Sequence, residues 1–90
     1  MQCVHLTVSG DVIGVGFRSW ARRQAQDLGL VGWVRNTPEE TVEIVAEGPK
    51  DKLKELVKAC RTGPEVAMIE KIDVSWERAT GEFLSFEVMI

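Results

Sequence analysis

The sequence is poor in the residues that bind metals or cross-link a chain. It has 90 residues, with one histidine and two cysteines. Cys3 and Cys60 are too few and too far apart to indicate a disulfide framework, a zinc site or a C-x-x-C copper carrier. We expect free thiols that behave as small apolar side chains. We expect His5 to face solvent on a strand rather than to act in catalysis or metal binding.

An excess of basic residues and a long apolar run are also absent. The net charge of −3 at pH 7 argues against general nucleic-acid binding, which depends on a basic face. No apolar run approaches membrane length, and the first residues lead directly into a strand rather than a signal sequence. The central strands lack the stacked aromatic residues of RNA-recognition modules. We therefore expect a cytoplasmic protein that binds neither nucleic acid nor membrane.

The composition that remains is that of an ordinary globular protein. Apolar residues make up 44% of the chain and charged residues 28%. A chain of this size buries roughly 60–65% of its unfolded surface, so we expect one domain over residues 1–90 with one modest core. Nothing indicates more than a monomer. The candidates for a locally positive pocket are Arg18, Arg22, Arg23 and Arg35.

Hydrophobic periodicity predicts an α+β fold. Two-residue alternation predicts strands over 3–9, 30–37, 41–46, 68–78 and 83–90, and three- and four-residue spacing predicts helices over 17–28 and 49–62. This order is that of a ferredoxin-like split βαββαβ sandwich, an antiparallel sheet with two helices on one face, plus an extra C-terminal strand. The first helix is predicted to bury Trp20. The fourth and fifth strands are each predicted to carry one apolar row on a single face: Met68, Ile72, Val74 and Trp76, and Leu84, Phe86, Val88 and Ile90.

The most informative stretch is a glycine-rich connection between the first strand and the first helix, residues 9–18, Ser-Gly-Asp-Val-Ile-Gly-Val-Gly-Phe-Arg. A helix start leaves backbone N–H groups unpaired and carries a partial positive charge, which together favour an anion. Arg18 adds a planar donor group suited to phosphate or carboxylate. The spacing matches neither a P-loop nor a dinucleotide fingerprint. The pattern therefore leaves two interpretations open: a phosphate cradle, or a tight turn with its arginine in solvent.

A second candidate is Asn36 at the end of the second predicted strand. The sequence Asn-Thr-Pro-Glu-Glu is typical of a turn, so turn formation is one interpretation of this residue. The other is that its amide reaches the glycine loop and holds a water or a ligand. In the predicted topology the first and second strands are parallel, so their C-terminal ends lie at the same edge of the sheet. Loop and asparagine are therefore able to meet.

Three segments, 8–18, 28–36 and 42–48, closely resemble the acylphosphatase family. These are small ferredoxin-like enzymes that hydrolyse carboxyl–phosphate anhydrides to a carboxylate and inorganic phosphate, without a metal or other cofactor. The resemblance implies that Arg18 binds phosphate, that Asn36 positions water, and that Thr37 is a possible auxiliary. The residues that it implies for phosphate binding are Gly10, Asp11, Val12, Ile13, Gly14, Val15, Gly16, Phe17 and Arg18.

The chain departs from the family pattern in two places. Ile13 occupies a position where the family usually has glutamine, which removes a side-chain hydrogen bond but keeps the backbone amide. The turn over 37–40 adds two glutamates near the expected anion site. Two alternatives stay open. One is a module that binds phosphate or acyl phosphate with little turnover. The other is the related domain of hydrogenase-maturation carbamoyltransferases, which acts on carbamoyl phosphate at the front of long chains, whereas this chain ends at Ile90.

Overall fold

The computed structural model describes residues 1–89, and its elements follow the predicted order. They are β1 (Gln2–Asp11), α1 (Phe17–Asp27), β2 (Val31–Asn36), β3 (Val42–Gly48), α2 (Lys50–Thr62), β4 (Met68–Arg78) and β5 (Phe86–Val88). The strands form one sheet in the order β4-β1-β3-β2-β5. The predicted ferredoxin-like α+β sandwich with an extra C-terminal strand is confirmed.

The core lies between the two helices and one face of the sheet. Alternate residues of the central strands point into it, because side chains alternate across a strand. The helices supply stripes at three- and four-residue spacing. Cys3 and Cys60 are both buried and free, as expected. The fully buried members include Val4, Leu6 and Val8 of β1, Val42, Ile44 and Ala46 of β3, Ala21 and Ala25 of α1, and Leu53 and Leu56 of α2.

The sheet topology brings two chain ends together at one edge. β1 and β2 are both antiparallel to β3, so they are parallel to each other. Both therefore end at the same edge of the sheet. The glycine loop follows β1 there, and Asn36 is the last residue of β2. This placement agrees with the expectation from the sequence.

The C-terminal strand makes the sheet mixed rather than wholly antiparallel. β5 pairs in parallel with β2, with Gly32 opposite Phe86 and Val34 opposite Val88. The chain crosses from β4 at one edge to the other edge before β5 begins, so β5 runs in the direction of β2. The strand is also shorter than predicted: Leu84 lies before it and is 97% exposed, and Ile90 lies outside the described residues. The prediction that Leu84 lies in this strand, in line with Phe86 and Val88, was therefore wrong.

An irregularity between β1 and β4 explains a second error. Ser9 pairs with Lys71 but Gly10 pairs with Ile69, so β4 holds one extra residue at this point. The extra residue turns Ile69 toward the core and leaves Met68 exposed, contrary to the prediction. A Cβ on Gly10, whose φ is 129°, would lie 2.1 Å from the Met68 carbonyl oxygen, so only glycine fits.

Two tryptophans lie at the margin of the core, and Trp20 is less buried than its helical pattern predicted. Trp20 is half-buried and packs against the core, with its ring centroid 5.2 Å from that of Phe17. Trp76, on the edge strand β4, is 40% exposed, and the Lys50 ammonium lies 5.9 Å from its ring centroid. Ile72 and Val74 pack against the core as predicted. Within residues 1–89, no helix is long and apolar enough to cross a bilayer.

Candidate active site

A cavity of about 280 Å³ opens where the glycine loop, α1, β2 and β5 meet. Its volume lies just below the range of pockets for drug-sized ligands, so it suits a small substrate. The lining combines backbone of the glycine loop with one cationic side chain, one amide and a few apolar groups. The lining residues are Val12, Gly14, Gly16, Phe17, Arg18, Ser19, Asn36 and Val88.

The start of α1, which follows the glycine loop and lines this cavity, leaves backbone N–H groups without helical partners. Gly14 and Gly16 have φ values of 76° and 78°, a left-handed conformation that side-chain-bearing residues adopt at a cost. Gly16 caps α1 without a side-chain hydrogen bond, and no acidic residue lies in the first turn. The first helical bond is that from the Trp20 amide to the Gly16 carbonyl oxygen, so the three preceding amides lack helical acceptors. This is the arrangement that binds anions.

Arg18 is the cation of the site. It is half-buried in the first turn of α1, with its side chain in the cavity lining. Of the four arginines considered for a positive pocket, it is the one that the described lining contains. Arg22 donates to the Phe86 carbonyl oxygen, and Arg23 is exposed on the same helix. Arg35 binds Glu43 on the opposite face of the sheet. The pocket therefore has one guanidinium, not several.

Asn36 carries an unsatisfied acceptor. Its Oδ1 atom is fully buried, and no donor within residues 1–89 lies at hydrogen-bond distance from it. Leaving a buried acceptor unpaired costs about 1–3 kcal/mol, so such groups in native proteins normally meet a water or a ligand. The side chain lines the cavity that also contains Arg18. Asn36 thus brings a buried, unpaired acceptor to the wall of that cavity.

The turn after β2 is held by threonines instead of by Asn36. The Thr37 amide donates to the Thr41 carbonyl oxygen over 2.9 Å, and the two threonine hydroxyls lie 2.6 Å apart. The Thr41 amide also donates to the Thr37 hydroxyl over 3.3 Å. The hydroxyl of Thr37 is therefore occupied in the turn, and Thr37 is outside the cavity lining. This arrangement favours the ligand-binding interpretation of Asn36 over the turn interpretation.

Only some residues of the predicted phosphate-binding stretch line the cavity. Gly10 and Asp11 belong to β1 and pair with β4. Ile13 is 37% exposed, and Val15 packs against the core; neither is in the lining. The remaining members, which do line the cavity, are Val12, Gly14, Gly16, Phe17 and Arg18.

Two lining residues, Ser19 and Val88, were not predicted from the sequence to be site residues. Ser19 follows Arg18 directly, so its position in the first turn of α1 was a usable signal. The sequence around Val88 contains no signal for a site residue, because Val88 reaches the cavity only through the parallel pairing of β5 with β2. Its contribution is apolar and closes one wall of the site.

The single histidine lies away from the cavity. His5 is on the face of the sheet opposite the helices, which we call the open face, and its Nε2 contacts the Glu43 carboxylate. Burial disfavours ionisation of Glu43, but hydrogen bonds from Arg35 and His5 outweigh it and lower the pKa of this carboxyl. Within residues 1–89 no cluster of three or more His, Cys, Asp or Glu side chains is arranged to hold a metal ion.

Comparison with known proteins identifies the family. The acylphosphatase family model matches residues 4–88. The chain belongs to the acylphosphatase family. It is 46% identical over 89 residues to the acylphosphatase of Methylococcus capsulatus, a match covering 99% of this chain and 97% of that protein. The activity of an acylphosphatase, hydrolysis of acyl phosphates, is thereby assigned to the chain by homology.

Solved structures support the same family. The crystal structure of acylphosphatase from Bacillus subtilis matches with a TM-score of 0.96 and 33% identity over 100% of both chains. Full-length HypF in its phosphate- and nucleotide-bound form matches with a TM-score of 0.89 and 26% identity. That match covers 98% of this chain but only 12% of the HypF chain. The acylphosphatase fold therefore also occurs as a small part of a longer protein.

Proposed function

We propose that the cavity is the catalytic site, in which Arg18 and the unpaired amides bind the phosphoryl group and Asn36 positions the attacking water. The observation that carries this proposal is that Asn36, whose buried Oδ1 has no partner within residues 1–89, lines the same cavity as Arg18. Arg18 supplies positive charge, the backbone amides supply hydrogen-bond donors for the phosphoryl oxygens, and Asn36 supplies an acceptor for the attacking water. Together they account for acyl phosphate hydrolysis without a covalent intermediate on the protein.

The phosphoryl group is held by positive charge and N–H dipoles. Water attacks phosphorus, the bond from phosphorus to the acyl oxygen breaks, and the carboxylate leaves with the bonding electrons. A carboxylate is a good leaving group, so catalysis needs positioning and charge stabilisation more than a strong nucleophile. Donors fixed before the reaction stabilise the developing charge without reorganising. The loop amides and the guanidinium of Arg18 are such donors.

The water is oriented by a neutral acceptor. If the Asn36 Oδ1 accepts one hydrogen of the water, a lone pair on the water oxygen is left free to point at phosphorus. The described lining residues contain neither a carboxylate nor an imidazole. The proton of the water therefore passes to a substrate oxygen or to bulk water rather than to a side chain in this set.

Hydrolysis of benzoyl phosphate by the purified protein and by Arg18 variants tests the proposal. Arg18→Ala is expected to lower kcat/KM by about 10²–10³-fold, the effect of removing one main charge-stabilising donor. Arg18→Lys keeps the charge but loses the planar donor pair, so its kcat/KM is expected to lie between those of wild type and Arg18→Ala. Arg23→Ala, an exposed arginine on the same helix, is the control. Wild-type kcat/KM in Arg18→Ala would overturn the assignment.

The same assay separates the remaining alternatives. A binding module would show phosphate binding but no loss of benzoyl phosphate above the uncatalysed rate. Including acetyl phosphate and carbamoyl phosphate in the substrate panel tests for a preference like that expected of a carbamoyl-phosphate-acting domain. Inorganic phosphate, as the product, is expected to inhibit competitively. Monomeric state and cytoplasmic location stay predictions.

A further inference from the structure

The connection between β4 and β5 crosses almost the whole sheet. Residues 79–85, which we call the crossover segment, lead from the strand at one edge to the strand at the other. Four inter-strand spacings separate these strands, about 19 Å. Seven residues reach at most about 25 Å when fully extended. The crossover segment therefore has little slack, and where it is held determines where β5 begins.

One buried carboxylate holds this segment. Glu47 is 3% exposed and is the only charged side chain in residues 1–89 that is buried to this degree. Its Oε2 accepts hydrogen bonds from the Thr80 amide over 2.8 Å and from the Thr80 hydroxyl over 3.0 Å. Its Oε1 accepts one from the Gly81 amide over 3.0 Å. Ala46 points into the core, so Glu47 points to the open face, where the crossover segment covers it.

The sheet pairing of β5 is short, although Phe86 is also buried in the core and its carbonyl oxygen accepts a bond from Arg22. The strand has three residues and pairs with β2 alone. Backbone hydrogen bonds flank this pairing, from the Gly32 amide to the Ser85 oxygen and from the Met89 amide to the Val34 oxygen. Two residues after the strand begins, Val88 reaches the cavity lining. Any displacement at the start of β5 is therefore carried directly into the wall of the cavity.

The register of β5 has a chemical consequence. Phe86 is buried and Val88 is half-buried, whereas Glu87 between them is exposed. A slip of one residue along β2 would exchange the two faces of the strand. It would turn the Glu87 carboxylate toward the side that now carries Val88, close to the site where an anionic substrate is to bind. Repulsion between the two negative charges would weaken substrate binding.

We propose that Glu47 is a positioning residue for acyl phosphate binding: by fastening Thr80 and Gly81 to the sheet, it sets the register of β5 and so places Val88 in the cavity wall. Glu47 itself does not touch the substrate. The link to activity rests on the proposed function of the cavity, whereas the link to the register of β5 does not. A protein that populates the correct register only part of the time binds substrate with an affinity reduced by that fraction.

Glu47→Gln tests the proposal, with Glu43→Gln as its matched control. Both residues are on β3 and point to the open face, but Glu43 binds His5 and Arg35 instead of the crossover segment. For Glu47→Gln we expect KM for benzoyl phosphate and the inhibition constant of inorganic phosphate to rise together by about three- to tenfold, with kcat within twofold. We expect the Met89 amide, which donates to Val34, to exchange its hydrogen faster. Glu43→Gln should leave KM, kcat, the inhibition constant of phosphate and the exchange rate of the Met89 amide at wild-type values.

Thr80 offers a milder variant should Glu47→Gln fail to fold. Thr80 is exposed, and Thr80→Val removes the hydroxyl that donates to Glu47 and accepts from the Glu82 amide, while the two amide donors to Glu47 remain. It is expected to change KM and exchange at Met89 in the same direction, and Thr80→Ser should restore both. Wild-type exchange at Met89 in Thr80→Val, or in a folded Glu47→Gln, would overturn the proposal.

The two proposals fail in different ways. If the wild-type protein hydrolyses no acyl phosphate, the proposed function fails, while exchange at Met89 still tests whether Glu47 sets β5. If Arg18 variants lose activity but Glu47→Gln keeps wild-type KM and exchange, only the role of Glu47 is refuted.

Discussion

The Nε of Arg22 donates a hydrogen bond of 3.2 Å to the carbonyl oxygen of Phe86. Arg22 lies one helical turn after Arg18, and Phe86 lies two residues before Val88. The bond therefore joins the helix that begins at the cavity to the strand that forms its wall. Together with the bonds of Glu47 to the crossover segment, it holds β5 from the helical face as well as the open face.

Arg22→Ala is expected to destabilise the protein more than Arg23→Ala. Loss of the bond to Phe86 costs about 1 kcal/mol of unfolding free energy, which lowers Tm by about 4–8 °C in a domain of this size. Arg23 is exposed on the same helix, so its replacement should change the unfolding free energy by less than about 0.5 kcal/mol. Urea and thermal unfolding of the two variants measure the difference, and equal stabilities would contradict the role of this bond.

Asn36→Ala is expected to lower kcat while leaving phosphate binding nearly intact. Because the amide is proposed to orient water rather than hold the phosphoryl group, kcat should fall by about 100-fold and the inhibition constant of phosphate should change less than twofold. Steady-state kinetics with benzoyl phosphate give both values. Thr41→Val, which alters the neighbouring turn without entering the cavity lining, is the control. A parallel loss of phosphate binding in Asn36→Ala would instead assign Asn36 to the phosphoryl group.

Ile13→Gln is expected to change the reaction little. The family usually has glutamine at this position, but the Ile13 side chain is 37% exposed and outside the cavity lining. The substitution also leaves the backbone of the glycine loop unchanged. We expect kcat/KM within about threefold of wild type and unfolding free energy within about 0.5 kcal/mol. A tenfold rise in kcat would show that the glutamine side chain contributes to catalysis directly.

Acid is expected to destabilise the fold through Glu43 and Glu47. Burial opposes ionisation of Glu47, but hydrogen bonds from Thr80 and Gly81 outweigh it, so the pKa of this carboxyl, like that of Glu43, is lowered. A lowered native pKa stabilises the fold above the unfolded value of about 4.3, and this stabilisation is lost as the pH falls through the native pKa.

Unfolding free energies measured between pH 7 and pH 3 test this expectation. In Glu43→Gln and Glu47→Gln the loss of stability below about pH 5 should be smaller than in wild type. The neighbouring thiol of Cys3 stays protonated in this window, as an ordinary thiol would, and burial and the adjacent Glu47 raise its pKa further, to about 11. The nearby Glu77 and Glu82 carboxyls remain in both variants and provide a common background. If both variants lost as much unfolding free energy below about pH 5 as wild type does, the prediction would be contradicted.

Met68 and Leu84 depart from the predicted pattern for one physical reason. A strict two-residue period placed Met68 on the same face as Ile72, and Leu84 in the same strand and row as Phe86. The extra residue opposite Gly10 shifts that period in β4, and the crossover segment delays the start of β5 beyond Leu84. Both effects depend on which strand lies alongside, and a local period carries no information about a neighbouring strand. The helices and central strands were predicted well because their burial follows from their own spacing.

The sequence by itself determined the parts of the site that are local: a strand, a curled glycine loop and the start of a helix bearing Arg18, all within ten consecutive residues. Backbone conformation and the charge of a helix start depend on near neighbours, so such parts can be read directly from the chain. Only the tertiary structure decided that Asn36, with its unpaired Oδ1, lines the cavity, that Val88 lines it too, and that Glu47 binds the segment leading to β5. These relationships join residues that are far apart in sequence and become neighbours only once the sheet has formed.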